Sequence, residues 1–216
     1  MLRLVGETAE LWYDPALQRK YTIESLCRVL PADAGVCFNF GEILTGGEGA
    51  CGSLVQHGLD AKQEQLVCNY LQTGKPQDPA LTKLAEISDA VVVARRAELV
   101  DDKNWYDSSH YTKLRSPLGL DDTLYAKISI PNKTIAIALS RKGGAEPFTE
   151  RQAHLVSLCL SQMAWPYQPD HAAEDPRLAS LQPRLRKVMQ HLLDGDGEKQ
   201  VAAKLGLSKH TVHEYV

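Results

Sequence analysis

Apolar residues along this chain recur at two spacings. The segment TIESLCRVLPA places Ile23, Leu26 and Leu30 on one helical face, with Thr22 in the position of an N-cap. Ala34–Phe40 is a short apolar run suited to a strand. Gly46, Gly47 and Gly49 mark a turn after it, and ACGSLVQH can return as the hairpin partner. The stretch from Ala61 to about Thr73 reads as a helix with Leu66, Val67, Tyr70 and Leu71 as its stripe, stopped by Gly74 and Pro76. Asp89–Ala94 is a further strand. In DTLYAKISIPNKTIAIALSR, Leu124, Ala126, Ile128 and Ile130 alternate with Tyr125, Lys127 and Ser129. Beyond the turn Pro131-Asn132-Lys133, Ile135, Ile137 and Leu139 alternate with small residues, which predicts a hairpin. Phe148-Thr149-Glu150 opens a helix with Leu155, Leu158, Cys159 and Met163 on one face. Strands and helices in this order predict an antiparallel sheet flanked by helices, an α+β body over residues 1–165.

Composition narrows the possibilities. The 216 residues are 44% hydrophobic and 24% charged, enough for an ordinary core. No apolar run reaches the roughly 20 residues that cross a bilayer, and the start MLRLVGETAELW lacks the pattern of a secretory leader. Cys27, Cys37, Cys51, Cys68 and Cys159 are odd in number, scattered and without a CxxC pair, which predicts reduced, mostly buried thiols in a cytosolic protein. Cys37 and Cys51 flank the first predicted hairpin and could meet as a redox pair. Residues 166–180, with three prolines and three acids, read as a linker. Residues 176–216 hold seven Lys/Arg and four Asp/Glu, a net charge of +3. The rest holds 17 and 23, a net of −6. A basic tail on an acidic body suits a tail that meets a polyanion.

That tail carries the functional signal. Leu181, Leu185, Val188 and Leu192 form the stripe of a buried helix, and Asp194-Gly195-Asp196-Gly197 breaks it. A short second helix from Glu198 to Leu205 buries Val201, Ala202 and Leu205. Gly206 turns the chain, Leu207 plugs the core and Ser208 caps a third helix whose Val212 and Val216 face inward. This is the recipe of a helix-turn-helix, in which the third helix presents outward side chains to a major groove.

Residues 181–216 resemble the LuxR/GerE-type DNA-binding domain through Leu181, Pro183, Arg184, Val188, Leu193, Gly195, Lys199, Val201, Ala202, Leu205, Gly206, Leu207, Ser208, Thr211, Val212 and Val216. Gln182, Leu185 and Tyr215 depart from the pattern. The resemblance implies double-stranded DNA as partner, a homodimer, and base readers at His213 and Glu214. Lys199, Ser208, Lys209, His210 and Thr211 complete the expected DNA-binding set. It also implies a fourth helix beyond Val216, so the sequence is expected to be a fragment. Two alternatives stand beside it, a sigma-factor region-four-like module and a GAF-type thiol enzyme.

Upstream, no nucleophile elbow, zinc motif, P-loop or dinucleotide fingerprint occurs. His57, His110, His154 and His171 are too dispersed for a metal site, no axial ligand for haem stands out, and no cofactor is expected. Residues 104–126 gather Trp105, Tyr106, Tyr111, Arg115, Asp121 and Tyr125, the candidate lining of a small-molecule site. The order of elements, with Tyr111, Gly119, Asp122, Leu139, Arg141, Phe148 and Thr149, resembles the GAF/PAS-like sensory domain found ahead of LuxR-type domains. That resemblance implies a small-ligand sensory or dimerisation role, and with no catalytic constellation upstream no enzyme activity is expected.

Overall fold

The computed structural model describes residues 2–11, 14–40, 54–72, 78–130, 133–162, 185, 187–188, 191–192 and 196–214. The chain divides into two compact units, Met1–Gln168 and Pro169–Val216. The expected linker, the glycine turn at 46–49, the turn residues Pro131 and Asn132, Cys51, Met163, His171, Tyr215 and Val216 lie outside the described residues.

The first unit begins with helices α1 (Leu2–Glu10) and α2 (Pro15–Val29), followed by strands β1 (Ala34–Asn39) and β2 (Val55–His57). Helices α3 (Ala61–Gln72) and α4 (Pro79–Glu86) lead to β3 (Val91–Arg95). Three short helices, α5 (Arg96–Leu99), α6 (Asp102–Tyr106) and α7 (Ser116–Leu118), follow, with a π-helical turn at Tyr111–Arg115 before α7. The hairpin β4 (Leu120–Ile130) and β5 (Lys133–Lys142) and helix α8 (Glu150–Gln162) complete the unit. The strands form one antiparallel sheet in the order β2-β1-β5-β4-β3, the α+β class the sequence predicts.

Both faces of this sheet are covered. Leu124, Ala126, Ile128, Ile135, Ile137 and Leu139 pack with Leu4, Ile23, Leu26, Val156 and Leu160 from α1, α2 and α8. The approach is tightest at Gly35, where a Cβ would lie 2.6 Å from Cys27 Sγ and 2.7 Å from Ile23 Cγ2, so only glycine lets α2 sit this close to β1. On the opposite face, Tyr125, Ala136 and Ala138 pack with Val67, Leu71, Leu81, Leu84, Trp105 and Leu118. Period-2 alternation normally separates a buried from a solvated face, yet here Tyr125 and even Lys127 are buried, the lysine donating to the Ile87 carbonyl.

Two local expectations need correction. Asp14, not Thr22, caps α2, because Asp14-Pro15 supplies an acceptor for Leu17 N and a proline at the first helical position. Thr22 lies inside the helix, its hydroxyl donating to the Gln18 carbonyl. In α8 the buried residues are Ala153, Val156, Cys159 and Leu160, while Leu155 and Leu158 are 37% and 52% exposed. The inner face, which lies against β3 and β4, is thus the one through Ala153, Val156 and Leu160, shared with the expected Cys159.

In the second unit, α9 (Glu198–Leu205) and α10 (Lys209–Glu214) join the helical residues around Val188. Val188, Val201, Ala202 and Val212 are buried together, with Leu192, Leu205 and Leu207 against them. Gly206 ends α9 at φ +61°, the left-handed conformation a sharp stop requires. Ser208 Oγ accepts from Thr211 N at 3.0 Å and starts α10.

Candidate functional site

The buried polar chemistry of the first unit converges on Asp78. As the N-cap of α4, its Oδ1 accepts from Ala80 N at 2.9 Å and Leu81 N at 3.2 Å. Its Oδ2 accepts from Tyr125 Oη at 2.9 Å and lies 3.1 Å from His110 Nε2. Arg115, at the end of the π-helical turn, donates from Nε to His110 Nε2 at 2.9 Å, from Nη1 to Ser140 Oγ at 2.8 Å and from Nη2 to Tyr125 Oη at 3.0 Å. The same Nη2 is 4.0 Å from Asp78 Oδ2. Because Nε2 of His110 accepts from arginine, the assigned imidazole proton sits on Nδ1, 3.1 Å from Tyr70 Oη. Thr123 Oγ1 and Ser140 Oγ are 3.1 Å apart.

Burial dominates the proton equilibria. It pushes the His110 pKa down to about 4; Asp78 opposes this drop and Arg115 adds to it. Burial likewise pushes the Tyr125 phenol well above its ordinary value. The neutral phenol of Tyr125 accepts from Arg115 and donates to Asp78, relaying a hydrogen bond from guanidinium to carboxyl, while the neutral imidazole only accepts from Arg115.

Beside this network lies a cavity with about 620 Å³ of unfilled space, part of it open to solvent. Its described polar lining is Tyr70, Asp78, His110, Arg115, Tyr125 and Ser140; the rest is Leu, Val, Ala, Gly and Phe from β1, β4, β5, α3, α4, α7 and the residues between them. Alanine at 138 and serine at 140 on β5 leave the space that larger residues would fill.

Of the six candidate ligand residues, Arg115 and Tyr125 line this cavity. Trp105 is buried beside it, its ring 5.6 Å from that of His110, and the Arg115 guanidinium lies 5.9 Å from its centroid. Tyr106, Tyr111 and Asp121 form an outer cluster: Tyr106 Oη donates to Asp121 Oδ2 at 3.1 Å, and the two tyrosine rings meet edge-on at 4.8 Å. Asp78, His110, Tyr70 and Ser140 were not singled out as lining residues by the sequence. The one available signal was the pair Asp78-Pro79, which marks a helix start but not the inward turn of its second carboxyl oxygen.

The thiols also need correction. Cys68 on α3 is disulfide-bonded, against the expectation of reduced cysteines throughout; pairing depends on spatial approach, which scattered spacing does not reveal. Cys27, Cys37 and Cys159 are buried thiols, and Cys51, the other half of the expected redox pair, lies outside the described residues. Burial, with Glu24 adding to it, pushes the Cys27 pKa up to about 12.

In the second unit, Lys199, Lys209, His210, His213 and Glu214 are exposed, Thr211 is half-buried and Ser208 serves the helix cap. The exposed histidines have acidic neighbours. His213 Nδ1 is 3.1 Å from Glu198 Oε1, and His210 Nε2 is 3.4 Å from Glu214 Oε1. Asp196 accepts from Lys204 Nζ at 2.8 Å and lies 3.0 Å from His191 Nδ1, tying the helix before it to α9.

Residues 179–216 match the family described as bacterial regulatory proteins, luxR family, and so carry its helix-turn-helix domain. No curated protein matches the chain. Among solved structures, the ligand-binding domain (LBD) of VqsR from Pseudomonas aeruginosa is 12% identical with a TM-score of 0.52, covering 74% of this chain and 93% of that one. At this identity the likeness shows a shared fold. SdiA of Escherichia coli is 16% identical over 93% of this chain and 81% of its own, with a TM-score of 0.46. SdiA in complex with octanoyl-rac-glycerol is 15% identical over 93% and 79%, also at 0.46.

Proposed function

We propose that this chain, with a luxR-family helix-turn-helix at its C-terminal end, is a cytoplasmic transcriptional regulator whose first unit controls sequence-specific binding to double-stranded DNA. Residues 1–165 form the sensory unit, residues 166–180 the linker and residues 181–216 the DNA-binding unit. In this reading α10 enters the major groove with His213 and Glu214 toward base edges, while Lys199, Lys209, His210 and Thr211 hold the phosphate backbone and Ser208 keeps the helix start in place. The observation that carries it is the trio Val188, Val201 and Val212, which closes a helical core while leaving the polar face of α10 in solvent.

The first unit takes a small molecule in the cavity beside Arg115 and Tyr125 and biases the regulator between two states of different DNA affinity. A homodimer places two α10 helices on the half-sites of an operator. The exposed Leu155 and Leu158 of α8 supply apolar surface for that association. The unit is assigned no cofactor and no catalytic role, and burial that pushes the Cys27 thiol up to about 12 makes that one cysteine a poor nucleophile. The antiparallel sheet also speaks against a sigma-factor assignment, for which the upstream region would be all-helical.

Gel-shift titration against promoter fragments tests the reading. The expected result is a sequence-selective shift whose affinity falls with salt, with a slope of about −0.9 per phosphate neutralised. A shift that is insensitive to sequence and salt, or none at all, overturns it.

A further inference from the structure

His213 and Glu198 meet across the helix-turn-helix. Glu198 opens α9, 15 residues before His213 on α10, and its Oε1 lies 3.1 Å from His213 Nδ1. The acid is the sheltered partner: its side chain is 29% exposed, against 73% for the histidine. A carboxylate only accepts, so the hydrogen of this bond belongs to the ring and Nδ1 carries it. In the neutral imidazole Nε2 is then an acceptor. It points out of the ring away from Nδ1, and among the described residues none pairs with it. His210 is arranged the other way round. Its Nε2 lies 3.4 Å from Glu214 Oε1, one turn along the same helix, so its outer nitrogen is already engaged. Lys209 borders the same groove but offers donors alone.

We propose that Glu198 sets base specificity: by holding Nδ1 it presents His213 Nε2 as an acceptor for an amino group in the major groove, adenine N6 or cytosine N4. The inference rests on the proposed reading of α10 as the recognition helix. Guanine and thymine offer oxygen or nitrogen acceptors at that edge, so against this ring two lone pairs face each other. Glu198 is a positioning residue, acting on the base through His213. Its charge also repels the phosphate backbone, so overall affinity and base discrimination depend on it with opposite signs. Glutamine at this position separates the two effects. An amide accepts or donates, which removes the charge and leaves the ring free to carry its proton on either nitrogen.

Selection from randomised duplexes with the full chain, at about pH 8.5 where imidazoles are neutral, supplies a preferred site. Gel-shift titration of its single base-pair changes locates the position whose discrimination His213→Ala removes. Two duplex probes are then made there: one deletes the exocyclic amino group (purine for adenine, 2-pyrimidinone for cytosine), the other replaces purine N7 with carbon. Deleting the amino group is expected to weaken wild-type binding about five- to tenfold, and the N7 change to leave it unaltered. Glu198→Gln is expected to bind the unmodified site more tightly yet to lose most of that amino-group dependence. Adding it to His213→Ala is expected to remove no further discrimination. Sensitivity to N7 in place of the amino group overturns the acceptor assignment. Full amino-group dependence in Glu198→Gln overturns the role of the acid. A wild type that selects a site at which His213→Ala changes no position overturns the inference and leaves the DNA-binding reading standing. A wild type that selects no sequence sinks both.

Discussion

The two units use polar side chains in opposite senses. In the first, Asp78, His110, Arg115, Tyr125 and Ser140 turn toward one another inside the protein and satisfy each other. In the second, Lys199, Lys209, His210, His213 and Glu214 face water over a core of small apolar residues. A closed network makes position and shape its output, because any change in one member strands the others. An open set makes charge and hydrogen-bonding reach its output, because each member acts nearly alone. The first arrangement suits a rigid wall for a ligand. The second suits a surface that reads a polyanion.

The strongest way to break the contrast is to remove Arg115. Arg115→Met leaves Asp78 buried without its cation and Ser140 without its donor, and is expected to cost about 3–5 kcal/mol of unfolding free energy in urea titration. A loss below about 1 kcal/mol would mean that the network is not closed. Acidification probes the same cluster through His110. With a pKa near 4 in the folded chain and about 6.5 unfolded, the unfolded state binds the extra proton between those values. The contribution is therefore whole above about pH 6.5 and is lost as pH falls toward 4, a span worth on the order of 3 kcal/mol. The pH dependence of wild-type stability minus that of His110→Gln isolates it, and identical slopes would refute it.

Smaller effects are expected in the second unit. Ser208→Ala removes the acceptor for Thr211 N and is expected to cost about 1 kcal/mol locally, read as faster amide exchange in α10 with exchange in the sheet unchanged. Glu198→Gln removes an acid beside His213 and is expected to tighten DNA binding by about a few-fold with little effect on stability, seen in gel-shift titration at low salt. Unaltered affinity would place Glu198 away from the phosphate backbone.

How much of each region could be read from the sequence follows from the same contrast. The helix-turn-helix packs residues close together in the chain, so the spacing of Val188, Val201, Gly206, Ser208 and Val212 already defined its core and its turn. The polar network draws on residues 70, 78, 110, 115, 125 and 140, which only the sheet register and the π-helical turn bring together. Arg115 and Tyr125 emerged because they fall in one aromatic-rich stretch. Asp78 did not, since an aspartate before proline reads as a cap and gives no sign that its other oxygen points inward. In α8 the stripe through Leu155 and Leu158 suggested the wrong inner face: Cys159 is buried as expected, but with Ala153, Val156 and Leu160 rather than with those leucines. The Cys68 disulfide was illegible for the same reason as the network: it is a fact of proximity.

One alanine limits the cavity of the first unit on its β5 side. Ala138 sits mid-strand on β5, opposite Tyr125 on one neighbouring strand and Val36 on the other, with only a methyl group toward the helices above. Such a site works as a size dial: valine there would trim the accepted guests, and leucine would convert a receptive chamber into solid core. A single codon thus governs the room beside the polar network, without moving a helix or disturbing a hydrogen bond.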